Sequence, residues 1–143
     1  MSYVTETQAA APEIAIAHFA RRLSVETDCS DVAAALKKGE QDFVLLHVVG
    51  TEAAYARRHV PGAIHLPHRE IRADRLAEGP PDTLFVPYCA GPHCNGADQA
   101  ALKIARLGRP VKIMIGGITG WEDEGLAFAS GAAPGEPRLL LAA

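Results

Sequence analysis

No stretch of this chain is apolar for long enough to cross a membrane. Its first residues, MSYVTETQAAAPE, lack the basic segment and apolar run of a secretory signal. Lys and Arg never cluster: 14 basic residues are scattered against 17 acidic ones, so no nucleic-acid footprint and no broad field for anions is expected. Cysteine is scarce. Cys29, Cys89 and Cys94 are odd in number, which argues against a secreted disulfide framework and for a reducing, cytoplasmic setting with free thiols. His59, His65 and His68 straddle a Pro-Gly turn and a strand end, a spacing that matches no compact metal site, so no metal is expected. What remains is a 143-residue chain of ordinary apolar content, enough for one sizeable core.

Apolar residues recur at two periods. Ile16, Phe19, Ala20 and Leu23 predict an amphipathic helix over 12–23. SVET (24–27) suits a short strand. Ser30 or Asp31 is placed to cap a helix that stops at Gly39. FVLLHVV (43–49) is a continuous apolar, β-branched run that reads as a buried strand, and TLFVPYC (83–89) and VKIMIGG (111–117) read as two further apolar strands. PGAIHLP (61–67) adds a fourth. Helices are predicted over 51–58, 68–77 and 96–108, with a short helix opening 118–129. Strands alternating with helices specify an α/β domain, a central parallel sheet with helices on both faces. The sequence divides into an N-terminal extension with a helix (1–24), the α/β domain (25–129) and a Pro/Gly-rich tail expected to be mobile (130–143).

In such sheets, ligands bind outside the carboxyl ends of the strands. Cys89 ends one strand, and the loop AGPHCNG that follows it leads straight into a helix. Gly91 and Gly96 free the backbone to converge, and Pro92 stiffens the turn. Asn95 with Asp98 three residues on suggests a helix N-cap facing the loop. Loop amides and a helix N-terminus both favour an anion, and both would turn a cradled cysteine into a thiolate nucleophile. For an isolated cysteine, burial as a small hydrophobe is the commoner fate; the glycine loop and the helix reverse that balance here. The site is therefore expected at Cys89, with Ala90, Gly91, Pro92, His93, Cys94 and Asn95 as the binding loop. His47 and Arg69 are expected at its rim.

At these residues the chain resembles the rhodanese homology domain, over about 25–129. FVLLHVVGTEAAYARRHVPGAIHLP is similar to the family's opening strand–helix–strand, and FVPYC with its loop to the active-site segment. The most specific match is MIGGITGWEDEGLAFA, in which Gly116, Gly117, Trp121 and Gly125 reproduce a closing Gly-Gly-x-x-x-Trp-x-x-x-Gly. The resemblance implies a three-layer rhodanese-like fold and transfer of sulfur through a Cys89 persulfide. The donor would be a small anion such as thiosulfate, the acceptor a thiol or cyanide, and no cofactor is implied. Loop amides from Ala90 to Asn95 would hold the anion as an oxyanion hole does.

The chain departs from the family pattern. His47-Val48-Val49 stands where the family has Asp-x-Arg, Arg58 where Gly precedes the histidine, and Cys94 where the loop carries Arg. Between Cys89 and Lys103 the one basic side chain is His93. Two further readings stay open: a sulfur carrier or regulatory module without turnover, or a cysteine phosphatase or arsenate reductase. The latter chemistry wants an arginine clamp where Asn95 stands. Cys94 is a possible resolving thiol if its Cα lies within about 7 Å of that of Cys89; simple packing under the helix start is the alternative. Cys29 is expected to pack at the surface, Trp121 to plug the core, Arg57 and Arg58 to be mainly solvated, and Arg72, like Arg69, to be within reach of the site rim. The N-terminal helix would pack on the domain or form a homodimer face.

Overall fold

The computed structural model describes residues 1–76 and 80–135. Five strands, β1 (Glu26–Asp28), β2 (Phe43–His47), β3 (Ile64–His65), β4 (Leu84–Tyr88) and β5 (Ile113–Ile115), all pair in parallel. One ladder runs β3–β2–β4 and the other β1–β5. A parallel bridge between Phe85 and Val111 joins them, so the strands lie in the order β1–β5–β4–β2–β3. Pro87 accounts for the single bridge. Phe85 exchanges bonds with the β5 side, from its N–H to Pro110 and from Lys112 N–H to its carbonyl. Pro87, two residues on, faces the same way and has no N–H to give. The β4–β5 ladder stops there, and the carboxyl ends of those two strands part.

Alternation along the strands builds two cores. Leu45, Val86, Tyr88 and Met114 point to one face, where they meet Val32, Ala33 and Leu36 of α2 (Cys29–Lys38) and Trp121 of α5 (Gly117–Asp123). Leu46, Phe85 and Cys89 point to the other, against Ala97, Ala100 and Ile104 of α4 (Gly96–Arg106). This is the expected α/β layering, with the sheet covered on both sides. Trp121 is fully buried and donates its indole N–H to the Ala127 carbonyl at 3.0 Å, satisfying the one polar atom it takes inside.

Several elements differ from expectation. Asp28, not Ser30 or Asp31, caps α2: its carboxylate accepts from Asp31 N–H at 2.8 Å, so the helix begins at Cys29. α3 (Glu52–Arg57) is capped by Thr51. The helix predicted over 68–77 is replaced by two 3-10 turns, His68–Glu70 and Ala73–Leu76, and its last residue lies outside the described ones. Ile71 and Leu76 both enter the second core. Five residues apart they would fall on different faces of one α-helix, so burying both breaks the segment in two. β3 keeps two residues, although Leu66 and His68 N–H groups still bond to the His47 and Val48 carbonyls.

α1 (Pro12–Val25) forms, but none of its residues is buried; Ile14, Ile16, Phe19 and Leu23 are all exposed. Its apolar stripe is thus not packed on the domain. Residues after 129 are held rather than loose up to 135. Ala129 pairs antiparallel with His59, Gly131 N–H bonds to Ala56, and the Pro134 carbonyl receives Gly62 N–H. Residues 136–143 lie outside the described ones. Among the described residues, no helix is long and apolar enough to cross a membrane.

The closing glycines have a specific task. Gly116 and Gly117 both take positive φ, 90° and 57°, which turns α5 so that Ile118 and Thr119 N–H bond to the Cys89 and Ala90 carbonyls at 3.0 Å each. A Cβ on Gly117 would overlap the Cys89 carbonyl oxygen. Gly117→Ala should therefore combine a left-handed backbone penalty with a steric one and destabilise the fold by about 2 kcal/mol or more. Gly131→Ala, at a position with open space around it, should stay nearer the backbone penalty alone. Urea unfolding of the two variants checks the difference.

Candidate active site

The loop from Cys89 to Asn95 lies where β4 ends and α4 begins. Two carbonyls at its start are pinned by α5, as above. Within it, Cys94 N–H donates to the Gly91 carbonyl at 3.1 Å, closing a turn over Pro92 and His93. This brings the Cα atoms of Cys89 and Cys94 to 6.2 Å, and the two cysteines are joined as a disulfide. The expectation of free thiols is corrected here: the Gly91–Pro92 turn brings the pair within bridging range. Cys29 is the free cysteine. It is buried, not at the surface, beneath Gly116 and Gly120, with its thiol directed at the Ile115 and Gly117 carbonyls. Burial, and then the Asp28 and Glu124 carboxylates, push it up to about 11, so it is an inert thiol at neutral pH.

The cap predicted at Asn95 does not form. Its φ and ψ of −99° and 12° are outside the extended region a capping side chain needs, and its carboxamide oxygen accepts from Gln99 Nε2 at 2.7 Å instead. Gly96 N–H, the first amide of α4, turns to Cys94 Sγ at 3.5 Å. Of the loop amides, Ala90, Gly91, His93 and Asn95 donate to no acceptor among the described residues.

Two cavities flank the loop, and their electrostatics differ. One, of about 230 Å³, is lined by Cys89, Cys94, Gly91 and Pro92 together with Ile113–Ile115, Glu26 and Asp98. It occupies the gap where β4 and β5 part; its charged groups are Asp98 and Glu26, the latter paired with Arg22 at 3.2 Å. The other, of about 430 Å³, holds His47, Ala90, His93 and Thr119 together with Arg57 and Arg58 of the α3 end. The larger space is thus not the one that holds the sulfurs; the loop separates them. Arg69 sits exposed on a 3-10 turn and lines neither cavity. Arg57, Arg58 and Thr119 were not among the expected site residues. The signal was the length of α3: six residues advance only about 9 Å, too little to carry the arginines away from the strand ends. Arg58 also pairs with Glu122 at 3.3 Å and lies over the Phe128 ring. Arg57 makes no ion pair among the described residues.

His47 ends β2 and is buried against Tyr88, whose hydroxyl is 2.8 Å from His47 Nδ1 and accepts Val60 N–H at 3.0 Å. Tyr55 packs edge-on to the same imidazole and stacks between His59 and His65. His59 is itself buried, its two ring nitrogens on the Tyr55 and Pro134 carbonyls. His68 lies apart, with its ring against Gly96, so the three histidines do not converge. Among the described residues, no group of three or more His, Cys, Asp or Glu is arranged to hold a metal.

Comparison with known proteins fits this geometry. The rhodanese-like domain profile matches residues 28–124. The crystal structure of the BH2092 protein from Bacillus halodurans is 37% identical to this chain, with a TM-score of 0.80 over 85% of this chain and 88% of that one. The chain belongs to the rhodanese-like domain family. Thiosulfate sulfurtransferase from Pseudomonas aeruginosa shares the fold at 23% identity and a TM-score of 0.60, covering 86% of this chain and 24% of that one. The HTH-type transcriptional regulator Rv0324 of Mycobacterium tuberculosis is 41% identical over 101 residues. Those residues are 70% of this chain but 44% of the regulator, so the chain spans under half the length of that curated relative.

Burial first, then the neighbouring His65 and His59, lowers His47 from 6.5 to about 4. The unfolded chain therefore binds a proton at His47 between those pH values while the folded one does not. Stability from neutral His47 is complete above pH 6.5 and is lost as pH falls toward 4, with a slope of up to about 1.4 kcal/mol per pH unit. His47→Asn should flatten the stability profile across that window in urea unfolding at stepped pH. An unchanged slope would contradict a neutral, buried His47.

Proposed function

We propose that the chain is a sulfurtransferase in which Cys89, once reduced, carries sulfane sulfur as a persulfide. The observation that supports this most is the placement of Cys89 at the carboxyl end of β4, its carbonyl fixed by α5 and its sulfur facing a small cavity, within a rhodanese-like domain. A thiol reductant opens the disulfide. The Cys89 thiolate attacks the outer sulfur of a donor such as thiosulfate, the donor S–S bond breaks, and sulfite leaves with the electron pair. A thiolate or cyanide then attacks the outer sulfur of the persulfide and restores the Cys89 thiolate. Such two-step covalent transfer gives ping-pong kinetics. The need for reduction suits a cytoplasmic setting.

The family's loop arginine is absent, so the positive charge for an anionic donor comes from Arg57 and Arg58 in the neighbouring cleft, with His93 beside them. The loop amides of Ala90, Gly91 and His93, which donate to no acceptor among the described residues, are available to the anion. A second reading has support in the transcriptional regulator to which the chain is similar: the same persulfide serves as a stoichiometric signal, with little turnover.

Reduced protein mixed with thiosulfate should release about one equivalent of sulfite in a burst, and Cys89→Ser none. Absence of the burst, or aryl phosphate turnover in its place, would overturn the proposal. Arg57→Ala should raise the thiosulfate KM by about threefold to tenfold at low ionic strength, an effect that shrinks in high salt because the side chain is exposed. Steady-state assays at two salt concentrations check it.

A further inference from the structure

We infer that Cys94 is a second catalytic thiol, which discharges the Cys89 persulfide within the loop and makes the site a thiol-driven producer of sulfide. The inference rests on the proposed persulfide at Cys89 and adds its fate.

Five observations place Cys94 for this role. The loop holds the two Cα atoms 6.2 Å apart and their sulfurs in one bond, so a disulfide product is a conformation the fold already accommodates. Both cysteines line the same cavity of about 230 Å³, which has room for one additional sulfur on Cys89. Cys94 Sγ receives Gly96 N–H at the start of α4, an eleven-residue helix, so the helix end and a direct hydrogen bond stabilise this sulfur as an anion when it is free. Gly96 itself makes the approach possible: a Cβ there would stand 3.1 Å from Cys89 Sγ and 3.5 Å from Cys94 Sγ. Cys94 is also the more exposed of the pair, and so the easier point of attack for a reducing thiol.

The step balances without an added oxidant. The Cys94 thiolate attacks the inner sulfur of the Cys89 persulfide. A Cys89–Cys94 bond forms, the bond to the outer sulfur breaks, and that sulfur leaves with the electron pair as hydrosulfide. The outer sulfur is reduced from the sulfane to the sulfide level while the two cysteine sulfurs share the oxidation. Two thiols, or one dithiol, then reopen the disulfide and are themselves oxidised to a disulfide. The net reaction converts thiosulfate and two thiols into sulfite, sulfide and an oxidised thiol pair. The substrate class is thus extended to a small thiol or dithiol reductant.

The test uses the full chain, reduced, freed of reductant and kept anaerobic, mixed with thiosulfate alone. Wild type should release one equivalent each of sulfite and sulfide and end as a disulfide, lighter by two hydrogens in intact mass. Cys94→Ser should still release sulfite but no sulfide, gain the mass of one sulfur, and give it up to cyanide as thiocyanate. If wild type instead keeps the added sulfur with Cys94 still alkylatable, the inference falls and the Cys89 reading stands. Sulfide release undiminished in Cys94→Ser also overturns it. If neither protein releases sulfite, the persulfide reading and the inference fall together.

Discussion

Two backbone hydrogen bonds organise the candidate site: Ile118 and Thr119 N–H to the carbonyls of Cys89 and Ala90. They tie the first turn of α5 to the point where β4 becomes a loop, across the gap left when the β4–β5 ladder gives out at Pro87. Everything that lets α5 approach so closely serves the contact. Gly116 and Gly117 supply the turn, Cys29 packs beneath them, and Trp121 anchors the helix in the first core. Once Cys89 is fixed in this way, the short Gly91–Pro92 turn leaves Cys94 little choice but to face it across the start of α4.

The loop then divides two environments. On one side, the histidine-lined cleft carries Arg57 and Arg58; on the other, the sulfurs share a smaller cavity with Glu26 and Asp98. In the proposed cycle an anionic donor would be received on the arginine side, while Asp98 and the Arg22-paired Glu26 border the sulfurs. His47, held to Tyr88 at 2.8 Å, lines the cleft from the end of β2. Burial keeps the imidazole neutral, so it contributes shape and hydrogen bonding and leaves the charge to the arginines.

How much of this could be read from the residues follows from which forces are local. β2, β4 and β5 were legible because strands at the centre of a covered sheet leave short apolar runs. The closing glycines with Trp121 were legible because their spacing is specific. The segment after Pro67 was not: helical propensity over His68–Leu76 yields to the need to bury Ile71 and Leu76 together, a tertiary demand with no local signature. The cap assigned to Asn95 failed because the tight loop sets its backbone outside the extended region, and Gln99 takes its side chain. The arginine pair has no clear sequence signature, because exposed arginines on a helix are usually solvated and only the shortness of α3 keeps these two at the strand ends. The stripe on α1 was read correctly as apolar, but nothing in the sequence told that it would remain uncovered within this chain.

The account depends most on where the sulfur goes. Thiosulfate labelled in its outer sulfur, applied to reduced Cys94→Ser protein and followed by peptide mapping without reductant, locates it directly. The account predicts one label per chain on the peptide that carries Cys89, removable by cyanide. Label on the Cys29 peptide, or no covalent label at all, would contradict it.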